Sequence, residues 1–383
     1  MPITVSKVAA QANVLRVEWQ DGRVHEFASV WLRDNMRGQR DTQNGQRLVD
    51  IADLPAAPAI RRVIAEEAAV RVEWEDNVPA ALFAFDWLAE HAQPLQQSRP
   101  ERQARIWPEA ARLDARRDFA WLPFSALSAE SQQKLDWLTQ LLQSGMAFID
   151  AVPATEEGIL QAMSHLGRIN ETNYGQVFDV RSVPKPDNLA YSDLGLGLHT
   201  DNPYREPVPG FQALHALVTS PDGGESLFAD GFALAEHLRS SCPHDFEVLT
   251  TTPVPFHYAS ADAELYAERP LIQLRCDGEI GAVHYNNRSI APFLSTDRRA
   301  ESFYASYRVF AQLLRDQRFQ MRFRLRDGDL VVFDNQRIMH GRTAFTSAQH
   351  PRHLRGCYLT RDSVFSGAGL LRRRLRRSEP KWT

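Results

Sequence analysis

The stretch Gly197-Leu198-His199-Thr200-Asp201-Asn202-Pro203-Tyr204 places the strongest constraint on how this chain folds. Its imidazole and carboxylate, two residues apart at the end of an apolar run, lie on one side of an extended backbone, where both reach a single metal ion. A set of two histidines and one carboxylate holds a metal on one face and leaves the opposite positions open. The fold must therefore return a second histidine to this point. The pair alone carries little: with 12 His and 48 acidic residues in 383, chance gives about one or two His-x-Asp/Glu pairs. The third ligand is expected far downstream, in Asp329-Leu-Val-Val-Phe-Asp-Asn-Gln-Arg-Ile-Met-His340-Gly-Arg, where strand, polar turn and strand carry His340 back. Arg352 follows at the head of another alternating run, His353-Leu-Arg-Gly-Cys-Tyr-Leu. Its planar fork near an open metal position is what a dicarboxylate co-substrate requires.

The rest of the chain is read around this core. Val14-Leu-Arg-Val-Glu-Trp19, a Gln-Asp-Gly-Arg turn, Val24-His-Glu-Phe27 and Trp31-Leu32 form a plan that returns as Val70-Arg-Val-Glu-Trp74, Ala81-Leu-Phe83 and Trp87-Leu88. Residues 1–93 therefore read as a small β-rich domain of two related halves, with the tryptophans in its core. Residues 94–123, rich in Gln, Arg, Pro and Ala, read as a linker, and 124–383 as the larger domain. There Ser128 is a plausible cap for a helix ending at Gly145, Met146–Asp150 is a strand, and short strands with turns dominate from Tyr174 onward. This is a mainly β pattern with flanking helices, as in a double-stranded β-helix, or jelly roll, with its site in the open mouth. A net charge of −4 gives no reason to expect nucleic acid, and no apolar run reaches a membrane span. The basic run Arg372–Arg377 reads as a solvated helix face or a subunit contact. Three cysteines with no close pair fit a reducing cytoplasm.

Several motifs in order along nearly the whole chain carry a resemblance. They are Trp31-Leu-Arg-Asp-Asn35, Asn173 to Arg181, Leu198-His-Thr-Asp201, Gly223-Gly-Glu-Ser226 through Phe232, Phe333-Asp-Asn335 to His340, and Arg352-His-Leu-Arg-Gly-Cys-Tyr358. The chain resembles the iron(II)/2-oxoglutarate-dependent dioxygenases, within them the γ-butyrobetaine hydroxylase branch of the taurine-dioxygenase-like group. The resemblance implies that His199, Asp201 and His340 hold Fe(II), that Arg352 binds 2-oxoglutarate with Ser226 beside it, and that O2 is consumed. A carboxylate at Asp201, where related halogenases leave a place for halide, implies hydroxylation. It also implies a homodimer. Where relatives follow Trp-Leu-Arg-Asp-Asn with zinc-binding cysteines, this chain has Met36-Arg-Gly-Gln, so no structural zinc is expected.

For the substrate, the resemblance places an aromatic cage for a trimethylammonium group at Tyr174, Phe178, Tyr191 and Tyr358. A fixed charge on carbon accepts no hydrogen bond and is held by aromatic faces. At the anionic end the expected residues are Asn202, Tyr204, Asn287 and Arg288. The charge of Arg288 beside Asn287 favours a phosphonate, with its extra charge and third acceptor, over a carboxylate. The expected reaction is thus hydroxylation of 2-trimethylaminoethylphosphonate at the phosphorus-bearing carbon, as in organophosphonate catabolism. The alternatives are hydroxylation of γ-butyrobetaine or a similar carboxylate, and a non-catalytic jelly-roll binding protein.

Overall fold

The computed structural model describes residues 4–11, 13–92, 103–181, 195–220, 223–293, 299–344 and 352–375. The expected cage residue Tyr191 and part of the run Arg372–Arg377 lie outside the described residues. The chain divides into two compact units, Met1–Gln103 with Arg377–Thr383, and Ala104–Arg376.

In the first unit, strands Val5–Gln11, Val14–Trp19 and Val24–Ala28 form one antiparallel sheet and lead into helix Ser29–Asp34. Strands Ile60–Ala65, Ala69–Trp74 and Ala81–Ala84 repeat the plan and lead into helix Phe85–His91. Strict alternation explains the repeat, because Leu15, Val17 and Trp19 on one strand and Val70, Val72 and Trp74 on the other face one shared core.

The second unit is built from two β-sheets packed face to face. The larger runs in the order Phe178–Arg181, His353–Leu359, Phe211–Val218, Leu330–Asp334, Met146–Asp150 and Trp121–Pro123. The smaller runs Leu196–His199, Ile338–Arg342, Ser226–Asp230 and Met321–Phe323. Rings from both interdigitate between them: Phe228 meets Phe333 at 5.3 Å and Phe323 meets Phe148 at 5.1 Å between centroids, both edge-on. This is a double-stranded β-helix, and helices cover its outside. Gln132–Ser144, Gly158–Ser164 and Arg361–Leu375 lie on the larger sheet, so residues 211–216 of its strand Phe211–Val218 are buried on both faces. Phe211 and Ala213 meet the helices while Leu214 and Ala216 meet the opposite sheet. A strand buried on both sides shows no alternation of polarity, which is why this one reads only as an apolar run in sequence.

Two expectations are corrected here. The helix at Gln132 is capped by Ser131, whose hydroxyl accepts from the Lys134 amide at 3.2 Å, and not by Ser128. It ends at Gly145, which takes φ of 77° in the left-handed region that favours glycine. Residues 104–123 are not linker but part of the second unit. Trp107 is buried and donates its indole N–H to the Ser144 carbonyl at 2.7 Å, and Trp121–Pro123 pairs in parallel with Met146–Asp150. Isolated aromatic anchors among charged residues carry no period, so the sequence hides them.

His215 lies on the helix-facing side of its strand, fully buried, and neither ring nitrogen has a hydrogen-bond partner among the described residues. Burial pushes its pKa down to about 4, and burial likewise pushes His284 down to about 3. A histidine whose folded pKa lies below its unfolded value near 6.5 costs nothing above that pH and destabilises as pH falls toward the folded value. Metal-free protein is therefore expected to lose stability between about pH 6.5 and 4, His215 contributing up to roughly 3 kcal/mol. His215→Gln should flatten the dependence of melting temperature on pH in that window, and an unchanged slope would place the titrating group elsewhere.

Candidate metal centre and its cavity

Strands Leu196–His199 and Ile338–Arg342 are antiparallel neighbours, and His199 and His340 are direct partners in their register. That ladder brings together two residues far apart in sequence, with ring centroids 4.4 Å apart. A register irregularity between Leu196 and His199 lets both face the interior although three positions separate them. Asp201 follows on the turn, where Asn335 clasps it: the Asp201 amide donates to Asn335 Oδ1 at 2.7 Å, and Asn335 Nδ2 donates back to the Asp201 carbonyl at 3.0 Å.

His199 Nε2 lies 3.2 Å from Asp201 Oδ1, and His340 Nε2 3.7 Å from Asp201 Oδ2. One ligand atom from each residue falls within 4.8 Å of the others. His199 Nδ1 is 2.9 Å from the Gly197 carbonyl, which can only accept, so Nδ1 carries the proton and the Nε2 lone pair turns to the centre. Burial, with His199 next in effect, pushes the His340 pKa down to about 3, which keeps that imidazole neutral. Burial opposes the charge of Asp201, yet the two imidazoles and the Tyr358 hydroxyl hold its carboxyl well below the usual range. Two imidazoles and one carboxylate on one side of an open space form the donor set of a non-haem iron site.

A cavity of about 480 Å³ opens beside the three ligands. Its floor carries Gln212, Ser226, Arg342 and Arg352, and its walls carry Tyr174, Phe178, Asn202, Tyr204, Tyr258 and Tyr358. Asn286, Arg288, Ser289 and His257 also line it. Arg352 is buried at 7 % exposure, and burial, with Arg342 beside it, pushes its pKa down to about 10, leaving it charged at neutral pH. The aromatic residues sit as pairs: Phe178 and Tyr358 at 5.1 Å, Tyr204 and Tyr258 stacked at 5.1 Å, and Tyr174 edge-on to Tyr258 at 6.1 Å. Gly356 makes room for the first pair, since a Cβ there would come within 2.4 Å of the Phe178 ring.

Sequence comparison agrees with the geometry. Residues 113–358 match the family described as "Taurine catabolism dioxygenase TauD, TfdA family". The chain belongs to this family. Residues 6–89 match the description "Gamma-butyrobetaine hydroxylase-like, N-terminal". The chain is 34% identical over 372 residues to a gamma-butyrobetaine dioxygenase of Pseudomonas sp. (strain AK-1), covering 96% of each. It is 27% identical to a trimethyllysine dioxygenase of Meyerozyma guilliermondii, again covering 96% of each. The crystal structure of a taurine dioxygenase from Burkholderia xenovorans shares the fold, with a TM-score of 0.50 at 17% identity over 67% of this chain and 90% of that one.

As a member of the TauD, TfdA family the protein is an Fe(II)- and 2-oxoglutarate-dependent dioxygenase. His199, Asp201 and His340 are placed to hold the iron, and Arg352 and Ser226 line the cavity beside them. Bound iron supplies the means to activate O2. The chain's own part is to keep the His340 imidazole neutral and to fix the orientation of His199 and Asp201.

Of the other expected residues, Tyr174, Phe178, Asn202, Tyr204, Arg288 and Tyr358 line the cavity. Asn287 does not: it is exposed, and its Oδ1 accepts from the Tyr307 hydroxyl at 2.8 Å. Its neighbour Asn286 turns inward instead, donating to the Thr200 carbonyl at 3.1 Å. No motif in the sequence singles out Asn286, Gln212 or Tyr258, and His257, without a partner at ligand spacing, reads there as a surface or core residue although it lines the cavity. Gln212 is buried, and its Oε1 has no partner among the described residues. Its parity with Leu214, on the face turned away from the helices, is the signal that could have found it.

Proposed function

We propose that the enzyme hydroxylates a small trimethylammonium carboxylate, with γ-butyrobetaine or a close analogue as substrate. One observation carries this reading: among the described residues lining the cavity the sole carboxylate is Asp201, which the metal claims, while six tyrosine and phenylalanine rings line it. A permanent cation entering such a space is held by ring faces, each contributing about 0.5 to 2 kcal/mol. The Arg205 guanidinium lies 5.9 Å from the ring centres of Tyr174 and Tyr204. Names of two relatives, a gamma-butyrobetaine dioxygenase and a trimethyllysine dioxygenase, support the same substrate class.

For the anionic end, the phosphonate expectation required Asn287 and Arg288 to act together. With Asn287 directed to Tyr307, Arg288 is left with Asn286, a donor set suited to a carboxylate with two acceptor oxygens. The relatives support the carboxylate as well, so the phosphonate reading gives way to it.

The deciding measurement is succinate formation with γ-butyrobetaine and with 2-trimethylaminoethylphosphonate in parallel. A higher kcat/KM with γ-butyrobetaine is expected. Arg288→Ala should raise its KM roughly tenfold, the loss of about 1.5 kcal/mol from one charge-assisted contact at an exposed position. A wild type that prefers the phosphonate, or that forms no succinate above background with γ-butyrobetaine, would overturn the reading.

A further inference from the structure

The wall of the cavity and the metal ligands are joined by a directed chain of hydrogen bonds. The Tyr204 hydroxyl donates to Asn202 Oδ1 at 2.6 Å, Asn202 Nδ2 donates to the Tyr358 hydroxyl at 3.3 Å, and the Tyr358 hydroxyl donates to Asp201 Oδ2 at 2.8 Å. All three bonds run the same way and end on the one carboxylate of the centre. Bonds aligned head to tail polarise one another, and a negative terminus favours that alignment. Each link is buried: Tyr204 is 6 %, Asn202 6 % and Tyr358 3 % exposed. Asn202 takes φ of 53°, a left-handed backbone tolerated by asparagine, and so stands beside Asp201 with its side chain between the two tyrosines.

Tyr358 thus has two roles to fill with one side chain. Its ring packs on Phe178 as part of the aromatic wall, and its hydroxyl occupies Asp201 Oδ2. The bond fixes the rotation of the carboxylate, with Oδ1 3.2 Å from His199 Nε2 and Oδ2 3.7 Å from His340 Nε2. A carboxylate already held in its ligating orientation loses less freedom when a metal binds than one free to rotate.

We propose that Tyr358 is a positioning residue for the metal centre, its hydroxyl oriented by the relay from Tyr204 through Asn202 and holding the Asp201 carboxylate in its ligating orientation. The same relay makes the centre responsive to the wall. A cation seated against the rings of Tyr358 and Tyr204 restrains the first and third members of the chain, and the restraint reaches Asp201. This second part rests on the trimethylammonium reading; the first does not.

Co(II), whose visible bands report coordination number and geometry, is the probe. It is titrated into metal-free wild type, Tyr358→Phe, Tyr204→Phe and the double variant, each keeping its rings. Tyr358→Phe is expected to bind Co(II) about 10- to 100-fold more weakly, the usual effect of losing a partner behind a ligand, and to show an altered band pattern. Tyr204→Phe should shift both readouts the same way but less. The double variant should equal Tyr358→Phe alone, because links in series do not add. Wild-type affinity and bands in Tyr358→Phe would overturn the proposal, and additive losses would overturn the relay. Adding γ-butyrobetaine to the Co(II) and 2-oxoglutarate complex should move the bands of wild type and leave those of Tyr358→Phe in place. If γ-butyrobetaine supports succinate formation yet moves no band, the coupling fails. If it supports none, the substrate reading fails while the Co(II) affinities still decide the role of Tyr358.

Discussion

Asp201→Ala, like His199→Ala and His340→Ala, is expected to lower 2-oxoglutarate-dependent succinate formation by more than about 100-fold, since even residues behind metal ligands cost about 10- to 100-fold when lost. The three side chains meet at one point through a strand register that does not depend on them. The His199 and His340 backbones are fixed by pairing of Leu196–His199 with Ile338–Arg342, and Asp201 by the Asn335 clasp on its main chain. Removing an imidazole or the carboxylate therefore leaves the scaffold in place. The melting temperature of the metal-free variants should stay near that of metal-free wild type, while the stabilisation that added Fe(II) gives wild type should vanish. A variant that keeps near-normal succinate formation with saturating iron would show that another residue ligates the metal.

Arg352→Ala is expected to raise the 2-oxoglutarate concentration needed for half-maximal turnover roughly 30- to 4,000-fold, the counterpart of about 2 to 5 kcal/mol for stranding one member of a buried charge pair. The size of the effect follows from burial. Arg352 is 7 % exposed with Arg342 beside it, so a bound dianion meets charge that water does not screen. Arg352→Lys keeps the charge but loses the planar fork, and should fall between the two. Kinetics in 2-oxoglutarate at saturating iron make the measurement. An unchanged requirement in Arg352→Ala would move the co-substrate's carboxylate to another residue, with Arg342 the next to test.

The two units differ in how openly the sequence describes them. In the first, alternation on Val14–Trp19 and Ala69–Trp74 is complete because one face meets the core and the other meets water. Period, repeat and fold are then the same information. In the second, the central strands are buried on both faces, and their apolar runs fix that they are strands without fixing which residues look into the cavity.

The candidate ligands His199, Asp201 and His340, a guanidinium at Arg352 beside their cavity and the mainly β architecture were legible in the sequence alone. Metal and co-substrate chemistry demands residue types that few other roles require, and their order along the chain matches a known family. Tertiary structure alone decided that Asn286 and not Asn287 lines the cavity, that 104–123 belongs to the second unit, and that Tyr358 grips Asp201 as well as walling the cavity. The stretch 284–290 shows why. It is not a regular strand, so no period assigns its side chains to a face. Its course is set by the Thr200 amide donating to the Tyr285 carbonyl at 2.7 Å, the Tyr285 amide donating to Thr200 Oγ1 at 3.0 Å, and the His257 amide donating to the Ser289 carbonyl at 2.7 Å. Those partners are distant in sequence, and irregular backbone acquires its direction only when the elements that supply them have packed.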